Sequence, residues 1–354
     1  MKIYIVLVLF ASLFLLGCTE PEGPTATPTA AVTLAPTATP TPLPVSARLE
    51  ELSKPVVYVV TLFEGNYSLP KPVLNKETLV FEPTSKIDTE EFSYAIGSGS
   101  GLIVSSDGLV LTNDHVIAFT EEDLHVQYQA YLEEQIWNVL DLVIRQELEG
   151  QGETGQRVLD TLQMELPKYL NQYLVFSDVK KTIYVSSKEM GSWNMDQSSV
   201  KEQTISDLSL LVAKAEVLKE GDPGGGRDVA VLKIKGRNLP TLKLGDSDAV
   251  RIGDEVWSIG FPGASESEMF SASELTKPTA TNGVISAERQ TKTGLKILQT
   301  NAAISYGNSG GPVLNDKGEV IGLATFVSVD PTTGAQVPGF AFLVPSNTAN
   351  GFLR

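Results

Sequence analysis

The feature that most constrains the fold of this chain is a series of short apolar runs separated by turn residues. Runs of about four to eight residues that are rich in Val, Ile and Leu and bounded by Gly, Asp or Pro are typical of buried β-strands. They occupy residues 54–60, 98–104, 108–112, 183–186, 210–217, 229–234, 255–259, 283–287, 296–299, 313–314, 320–326 and 341–344. Many short strands in succession predict an all-β barrel or sandwich.

The segment from residue 120 to about residue 172 departs from this pattern, because its apolar residues recur at helical spacing. The residues at this spacing are Leu124, Tyr128, Tyr131, Leu132, Val139, Val143, Leu159, Leu162, Leu166, Tyr169, Leu170 and Tyr173. Gly150, Gly152 and Gly155 interrupt the run, so we predict two amphipathic helices in an insert at about residues 119–181. The insert is acidic, and we interpret it either as a solvated surface or as a lid or docking element.

The N-terminus has the form of an exported lipoprotein. Lys2 precedes an apolar run at residues 3–16 that is too short for a comfortable membrane span and is typical of a secretory signal. The ending Leu-Leu-Gly-Cys resembles a lipobox, so residues 1–18 are predicted to be a signal peptide ending at a lipidated Cys18. Residues 19–45 are rich in Thr and Pro and are predicted to be a linker. The sequence thus predicts an extracytoplasmic protein of the cell envelope, attached to the membrane through Cys18.

Charge and cysteine usage argue against several classes of function. The net charge of −16 opposes nucleic-acid binding, which needs basic patches. Cys18 is the single cysteine, so neither an intrachain disulfide nor a thiolate zinc site is expected. The chain has only two histidines, His115 and His125, which disfavours a histidine-rich metal site. We therefore expect neither a metal nor a cofactor.

The stretch GNSGGP at residues 307–312 places Ser309 among glycines. A serine in this setting is usually a turn residue, but it is also a candidate nucleophile. It matches the G-x-S-x-G elbow of α/β-hydrolases, whose chain order is Ser, acid, His, yet no histidine follows Ser309. A subtilisin-like order conflicts with the β-rich pattern. The order His, Asp, Ser, found on antiparallel barrels, is easily satisfied.

The partners of such a nucleophile can be narrowed to a few residues. His115 directly follows an apolar strand, whereas His125 lies on a predicted helix and is expected to face solvent. The acid should be buried beside the base at the mouth of an apolar strand. Asp228, just before the run 229–234, fits best, and Asp222 in a glycine-rich loop is the alternative. The candidate triad is therefore His115, Asp228 and Ser309.

Four stretches resemble the protease domain of the HtrA/Deg family, trypsin-like serine proteases of cell envelopes: GSGSGLIVSSDGLVLTNDHVI, RDVAVLKI, QTNAAISYGNSGGPVLN and AFLVPSN. The resemblance covers residues 46–118 and 182–350 and indicates a protease domain at 46–354. It implies two six-stranded antiparallel β-barrels, here with an α-helical insertion, and an active site between the barrels. By analogy a homotrimer is expected. The chain ends about where a PDZ domain of that family would begin, so no PDZ domain is expected.

The resemblance also implies a mechanism. Ser309 would attack a peptide carbonyl, His115 would carry the proton, and Asp228 would orient the imidazole. Backbone N–H groups of Gly307, Asn308 and Ser309 would form the oxyanion hole.

The same resemblance indicates a substrate pocket. Ala303, six residues before the serine, would form its base, and Phe342 and Leu343 would line it. Because Ala303 is uncharged, we expect an aliphatic residue before the cleaved bond. Two departures from the family concern the site: Asp114 adds a charge beside the base, and Tyr306 stands in the loop where the family usually has Pro.

The expected function is that of a serine endopeptidase that cleaves unfolded or exposed peptide segments in protein quality control. The alternative is a catalytically weak, protease-like module that binds peptides as a chaperone. An esterase-type acyl hydrolase on the same barrels would use the same triad.

Overall fold

The computed structural model describes residues 43–147, 152–205, 208–222, 226–262, 274, 277–329, 332 and 336–354. The predicted signal peptide with Cys18, and residues 19–42 of the predicted linker, lie outside the described residues. The described α-helices are α1 (Leu49–Ser53), α2 (Glu121–Glu147), α3 (Gly152–Tyr173) and α4 (Ser346–Gly351). None of these helices combines the length and the apolar character that a membrane crossing requires.

Strands are the commonest element of the described structure. They are β1 (Val56–Asn75), β2 (Val80–Ile103), β3 (Leu109–Thr112), β4 (Val175–Ser186), β5 (Val200–Ile205), β6 (Leu208–Lys219), β7 (Ala230–Lys233), β8 (Glu255–Gly260), β9 (Thr279–Gln290), β10 (Lys296–Thr300), β11 (Pro312–Leu314), β12 (Val320–Val329) and β13 (Gln336–Pro345).

The first barrel contains the strands β1 to β7. Their hydrogen-bonded order is β4-β1-β2-β3-β7-β6-β5, and β4 also pairs with β6. Six strands therefore close into a ring, and β5 extends from β6. Side chains alternate across each strand, which directs Val57, Val59, Ile103 and Val110 into the centre of this barrel.

The second barrel is closed by β8 to β13 in the order β10-β13-β12-β11-β8-β9, with antiparallel pairing throughout. Its centre is filled by aliphatic side chains, among them Val256, Ile285, Leu298, Val313 and Leu343.

A shared apolar layer holds the two barrels together. Leu102 and Leu111 of the first barrel pack in one cluster with Leu314, Leu323 and Val344 of the second. Each of these side chains is at most 1% exposed, and burying one contributes about 1.5–3 kcal/mol. This layer fixes the ends of β3 and β7 against the loop that precedes β11.

The prediction of an all-β fold with two antiparallel barrels and an α-helical insertion is confirmed. Each predicted run overlaps a strand. Sequence patterns missed β5, whose residues are mostly polar, and the outer half of the long β1–β2 hairpin. Proline is disfavoured within strands, but this hairpin contains Pro70, Pro72 and Pro83, with a register shift between Pro70 and Pro72.

The helical insertion packs on the outer half of that hairpin through an apolar cluster. Its buried members are Phe63, Phe81, Phe92, Ile96, Leu124, Tyr128, Leu132, Leu162, Leu166, Tyr169, Leu170 and Leu174. Two expectations need correction. Gly155 does not break the run, because it lies within α3. His125 is half-buried rather than solvent-facing, because the hairpin and β4 cover this part of α2 and its ring packs edge-on against Phe176, with centroids 5.5 Å apart.

Candidate active site

The end of β3 positions His115. A short 3₁₀ turn, Asp114–Val116, follows the strand and carries the histidine at its centre. Asn113, which is fully buried, donates its side-chain amide to the carbonyl oxygen of Asp228 at 2.6 Å. This bond ties the end of β3 to the segment that enters β7, so that His115 and Asp228 lie on adjacent backbone.

Asp228 contacts His115 through both carboxylate oxygens. Its Oδ2 lies 2.6 Å from Nδ1 of the imidazole, and its Oδ1 accepts the backbone N–H of His115 at 3.0 Å. The Asp228 side chain is 7% exposed and that of His115 is 42% exposed. A carboxylate held in this way fixes the Nδ1–H tautomer of the ring and leaves Nε2 free to accept a proton.

Asp222, the alternative acid, has a different position. It forms a two-way backbone pair with Arg227 at the base of the loop that leads to Asp228, with both N–H to O distances at 2.9 Å. The carboxylate on His115 is that of Asp228, so the structure favours Asp228 over Asp222 as the partner of the imidazole.

Thr325 of β12 is a site residue that sequence reasoning missed. Its hydroxyl donates to Oδ2 of Asp228, the same oxygen that faces His115. Burial opposes the charged form of Asp228, but the hydrogen bond and charge of His115 and the Thr325 hydroxyl outweigh it and lower the pKa of the carboxyl. One signal could have found Thr325, since it is a hydroxyl residue in the otherwise apolar run 320–326.

Ser309 lies across the barrel junction from this pair. Its hydroxyl donates to the carbonyl oxygen of Thr325 at 2.8 Å. The backbone carbonyl of Ser309 accepts the N–H of Ser100 at 2.7 Å, which binds the loop to the first barrel. The structure therefore brings Ser309 to the same strand residue that supports Asp228, with its hydroxyl turned to Thr325.

Gly310 marks the closest approach of the two barrels. Its φ of +85° is in the left-handed region, which favours glycine. A Cβ at this position would lie 2.1 Å from the carbonyl oxygen of Ser100 and 2.4 Å from Oγ1 of Thr112. The glycine after Ser309 is thus required by both backbone conformation and space.

The loop before Ser309 forms a turn that exposes two backbone donors. Gly307 has a φ of +90°, and the N–H of Asn308 donates to the carbonyl of Ser305 at 3.1 Å. Asn308 was predicted as an oxyanion donor, but its N–H closes this turn, which excludes it from that role. Within the described part of the chain, the N–H groups of Gly307 and Ser309 donate to no protein acceptor.

Ser100 of β2 holds this turn from the first barrel. Its hydroxyl donates to the carbonyl of Gly307 at 2.7 Å and accepts the N–H of Phe261 at 2.9 Å. The peptide between Gly307 and Asn308 is therefore fixed by Ser100 on one side and by Ser305 on the other.

Of the three residues predicted to form the substrate pocket, two are accessible to solvent and one lies in the barrel core. Ala303 is exposed, and its carbonyl accepts the hydroxyl of Thr281 at 2.8 Å. Phe342 is half-buried and stacks on Phe326, with ring centroids 4.9 Å apart. Leu343 is fully buried in the centre of the second barrel, so its assignment to the pocket is wrong. Neighbouring residues of a strand face opposite sides, so Phe342 lies outside the barrel core, where it meets Phe326, which is 48% exposed.

Asp114 directs a carboxylate oxygen to the backbone of Gly221. The carboxylate is 4% exposed and accepts the N–H of Gly221 at 2.9 Å. Burial is the main reason that the pKa of Asp114 is raised. The residue thus links the turn of His115 to the loop that leads to Asp228.

No group of three or more His, Cys, Asp or Glu side chains within the described ranges could hold a metal ion.

Comparison with known proteins matches the central and C-terminal part of the chain. Residues 188–323 match the family model of the trypsin-like peptidase domain. That span contains Asp228 and Ser309, and His115 precedes it.

Curated relatives extend the same likeness. A probable periplasmic serine endoprotease, DegP-like, of Pseudomonas putida is 38% identical over 148 residues, which are 41% of this chain and 27% of the relative. The DegP-like protein of Chlamydia pneumoniae is 39% identical over 35% of this chain and 23% of its own length. The magnetosome formation protease MamE of Magnetospirillum gryphiswaldense is 40% identical over 35% of this chain and 15% of its own length. This chain therefore spans about a quarter or less of these relatives.

Among solved structures, the HtrA-type protease AlgW with a tripeptide gives a TM-score of 0.44 at 21% identity, covering 87% of this chain and 62% of that one. AlgW with a decapeptide gives 0.44 at 22% identity, covering 86% and 65%. The sequence likeness to trypsin-like serine endoproteases thus includes the part of the chain that contains Asp228 and Ser309.

Proposed function

We propose that this chain is a trypsin-like serine endopeptidase that cleaves unfolded or exposed peptide segments through an acyl-enzyme. The observation that carries the proposal is the double contact of Asp228 with His115, because it leaves Nε2 of a half-exposed imidazole available as a base. A buried carboxylate on Nδ1 serves a base that must become positively charged.

Catalysis begins with a rotation of the Ser309 side chain. Its hydroxyl leaves the carbonyl of Thr325 and donates to Nε2 of His115, which takes the proton as Oγ attacks the substrate carbonyl. His115 then gives this proton to the departing amine, and Asp228 stabilises the imidazolium in between. Water repeats the sequence, restores the serine and releases the acid product.

The negative oxygen of the tetrahedral intermediate would be bound by the N–H groups of Gly307 and Ser309. Each such donor contributes about 3–4 kcal/mol to transition-state stabilisation. The turn already directs these groups away from protein acceptors in the described part of the chain, and Ser100 holds the adjacent peptide.

One observation favours a second candidate, a module that binds peptides without cleaving them. The hydroxyl of Ser309 is hydrogen-bonded to Thr325 and not to His115. If that bond persisted with peptide bound, the cleft would hold a substrate and leave it intact.

The cellular setting is the finer part of the proposal. We place the protein in the cell envelope, anchored through Cys18 and acting in protein quality control, as a trimer in keeping with the family resemblance. Support comes from the lipobox-like sequence and from relatives named as periplasmic endoproteases. Metabolic labelling with palmitate, compared between the full chain and Cys18→Ala, tests the anchor, and chemical cross-linking tests the trimer.

The activity is tested with a fluorophosphonate probe and an unfolded, carboxymethylated protein substrate. Labelling and cleavage should both be lost in Ser309→Ala and fall at least about 10³-fold in His115→Ala. His125→Ala is the matched control, since it removes the other histidine of the chain and should leave both signals intact. Binding of the unfolded protein without labelling would favour the binding module and contradict the protease.

A further inference from the structure

A groove on the outer face of the first barrel is separate from the cleft and rich in lysine. Its volume is about 550 Å³, and its lining includes Lys201, Lys214, Lys233, Lys235 and a single carboxylate, Glu216. This concentration of positive charge stands on a chain whose net charge is −16.

Strand register explains why these side chains meet. Lys214 of β6 lies opposite Tyr184 of β4, and Glu216, two residues further along, lies opposite Lys233 of β7. Residues two apart on a strand, and residues directly opposite, share a face. The flanking Ala213 and Ala215 pack in the barrel core, and Ala215 also reaches the groove. The register therefore places the charged residues of β6 and β7 on the outside.

The fold neutralises only part of this charge. Lys233 forms an ion pair with Asp107 at 2.6 Å, and Lys201 lies over the ring of Tyr184 at 4.9 Å. Within the described residues, Lys201, Lys214 and Lys235 form no ion pair. Cations gathered without an ion-pair partner create a positive potential that attracts anionic groups.

The groove also has a free strand edge. Val200 and Lys201, which begin β5, line it. Among the described strands β5 pairs only with β6, so β5 is the edge strand of its sheet. Such an edge is completed by an extended peptide that adds as a further strand. A recess with a strand edge fits a polypeptide better than a flat lipid surface.

We propose that this groove is an exosite for an extended, acidic segment of polypeptide, whose carboxylates meet Lys201, Lys214 and Lys235 and whose backbone pairs with β5. The site lies at the far end of β7 from the catalytic acid. Lys233 is five positions after Asp228, which corresponds to about 17 Å of extended chain. Acidic segments are thus held away from the cleaved bond.

In the setting of the proposed function, the exosite selects substrates that carry an acidic stretch outside the cleaved sequence. Such recruitment strengthens substrate binding without contacting the reacting atoms. It should therefore change KM and leave kcat unaltered.

The binding test does not depend on catalysis, because it uses the full chain with Ser309→Ala. The probes are a fluorescein-labelled ten-residue Gly/Ser peptide with four glutamates and its glutamine counterpart, followed by fluorescence anisotropy at low salt. The glutamate peptide should bind at least about tenfold more tightly, and this preference should weaken as salt screens the charges.

The matched variants separate the groove from bulk charge. Lys201→Gln, Lys214→Gln and Lys235→Gln together should lower affinity for the glutamate peptide about tenfold. Lys76→Gln, Lys292→Gln and Lys317→Gln together remove the same charge from exposed positions elsewhere and should change nothing. An equal loss of affinity for the glutamate peptide in both triple variants would overturn the proposal. Equal binding of the glutamate and glutamine peptides would overturn it as well. So would groove-dependent binding of phosphatidylglycerol vesicles without groove-dependent binding of the peptide.

Two further arms complete the test. Alternate N-methylation of the peptide amides should weaken binding if the backbone pairs with β5, and equal affinity would refute that pairing. With active protein, a cleavable peptide extended by four glutamates should show a lower KM than its glutamine counterpart, and the groove variant should remove the difference. Absence of any Ser309-dependent cleavage would refute the protease and leave the binding result standing.

Discussion

Thr325 binds Ser309 and Asp228 at the same time. Its carbonyl accepts the hydroxyl of Ser309 at 2.8 Å, and its own hydroxyl donates to the carboxylate that faces His115. One residue of β12 thus holds the candidate nucleophile in a resting position and supports the acid of the pair.

Removing the Thr325 hydroxyl should take a hydrogen bond from the carboxylate of Asp228. The contact of the Thr325 carbonyl with Ser309 should stay in place. A hydrogen bond to a charged group contributes about 1.5–3 kcal/mol, so Thr325→Val should lower kcat/KM at least about tenfold. Thr325→Ser keeps the hydroxyl and should stay within about threefold of the wild type.

The same variant has a predicted pH signature. The folded pKa of Asp228 lies below its ordinary value, so its stabilisation is complete above the unfolded pKa and is lost as pH falls through the folded pKa. Thr325→Val raises the folded pKa, which should reduce stability at neutral pH more than at pH 2 in urea unfolding. An equal loss of stability at both pH values would contradict a role through the carboxylate.

Gly310→Ala should be among the most destabilising single changes in the second barrel. The added Cβ would meet Ser100 and Thr112 at 2.1 and 2.4 Å, and the φ of +85° is unfavourable for alanine. Crowding and the left-handed backbone together should lower the free energy of unfolding, measured with urea, by about 3–5 kcal/mol.

Gly294→Ala provides the control for the backbone effect alone. Gly294 has a φ of +82°, but a Cβ there would meet nothing within 4 Å. The Gly294→Ala variant should lose about 1 kcal/mol of the free energy of unfolding. Similar losses at the two positions would show that crowding against the first barrel is not important.

Asp114→Asn should stabilise the protein at neutral pH. The raised pKa of Asp114 means that the unfolded chain releases this proton before the folded one, so stability falls as pH rises from the ordinary value to the raised one. Asparagine keeps an acceptor for the N–H of Gly221 and removes the buried charge. The variant should gain thermal stability at pH 7 and equal the wild type near pH 3, whereas the exposed Asp316→Asn should be neutral at both. A loss of stability of Asp114→Asn at pH 7 would contradict a destabilising buried charge at Asp114.

Phe342→Ala should widen substrate selection. Phe342 stacks on Phe326, which follows Thr325, the residue whose carbonyl accepts the hydroxyl of Ser309. Opening this space should favour larger residues. The ratio of kcat/KM for a substrate with Phe before the cleaved bond to kcat/KM for one with Ala there should rise by about tenfold or more. The exposed Ile252→Ala should leave the ratio unchanged. An unaltered ratio in Phe342→Ala would place the pocket elsewhere.

The sequence by itself predicted the local elements and the candidate residues. Alternating and helical spacings depend on near neighbours in the chain, so the strands and the insertion could be located in advance. Chain order and the scarcity of histidine reduced the possible bases to His115. The N-terminal lipoprotein prediction rests on sequence alone, since residues 1–42 lie outside the described structure.

Only the tertiary structure decided which side chains meet. It placed Asp228 rather than Asp222 on His115, turned Ser309 toward Thr325, and sent Leu343 into the barrel core. It also joined lysines of separate strands in one groove. These relations depend on strand register and on the packing of one barrel against the other, and they join residues as far apart as 113 positions in the chain. No local pattern specifies contacts over such separations.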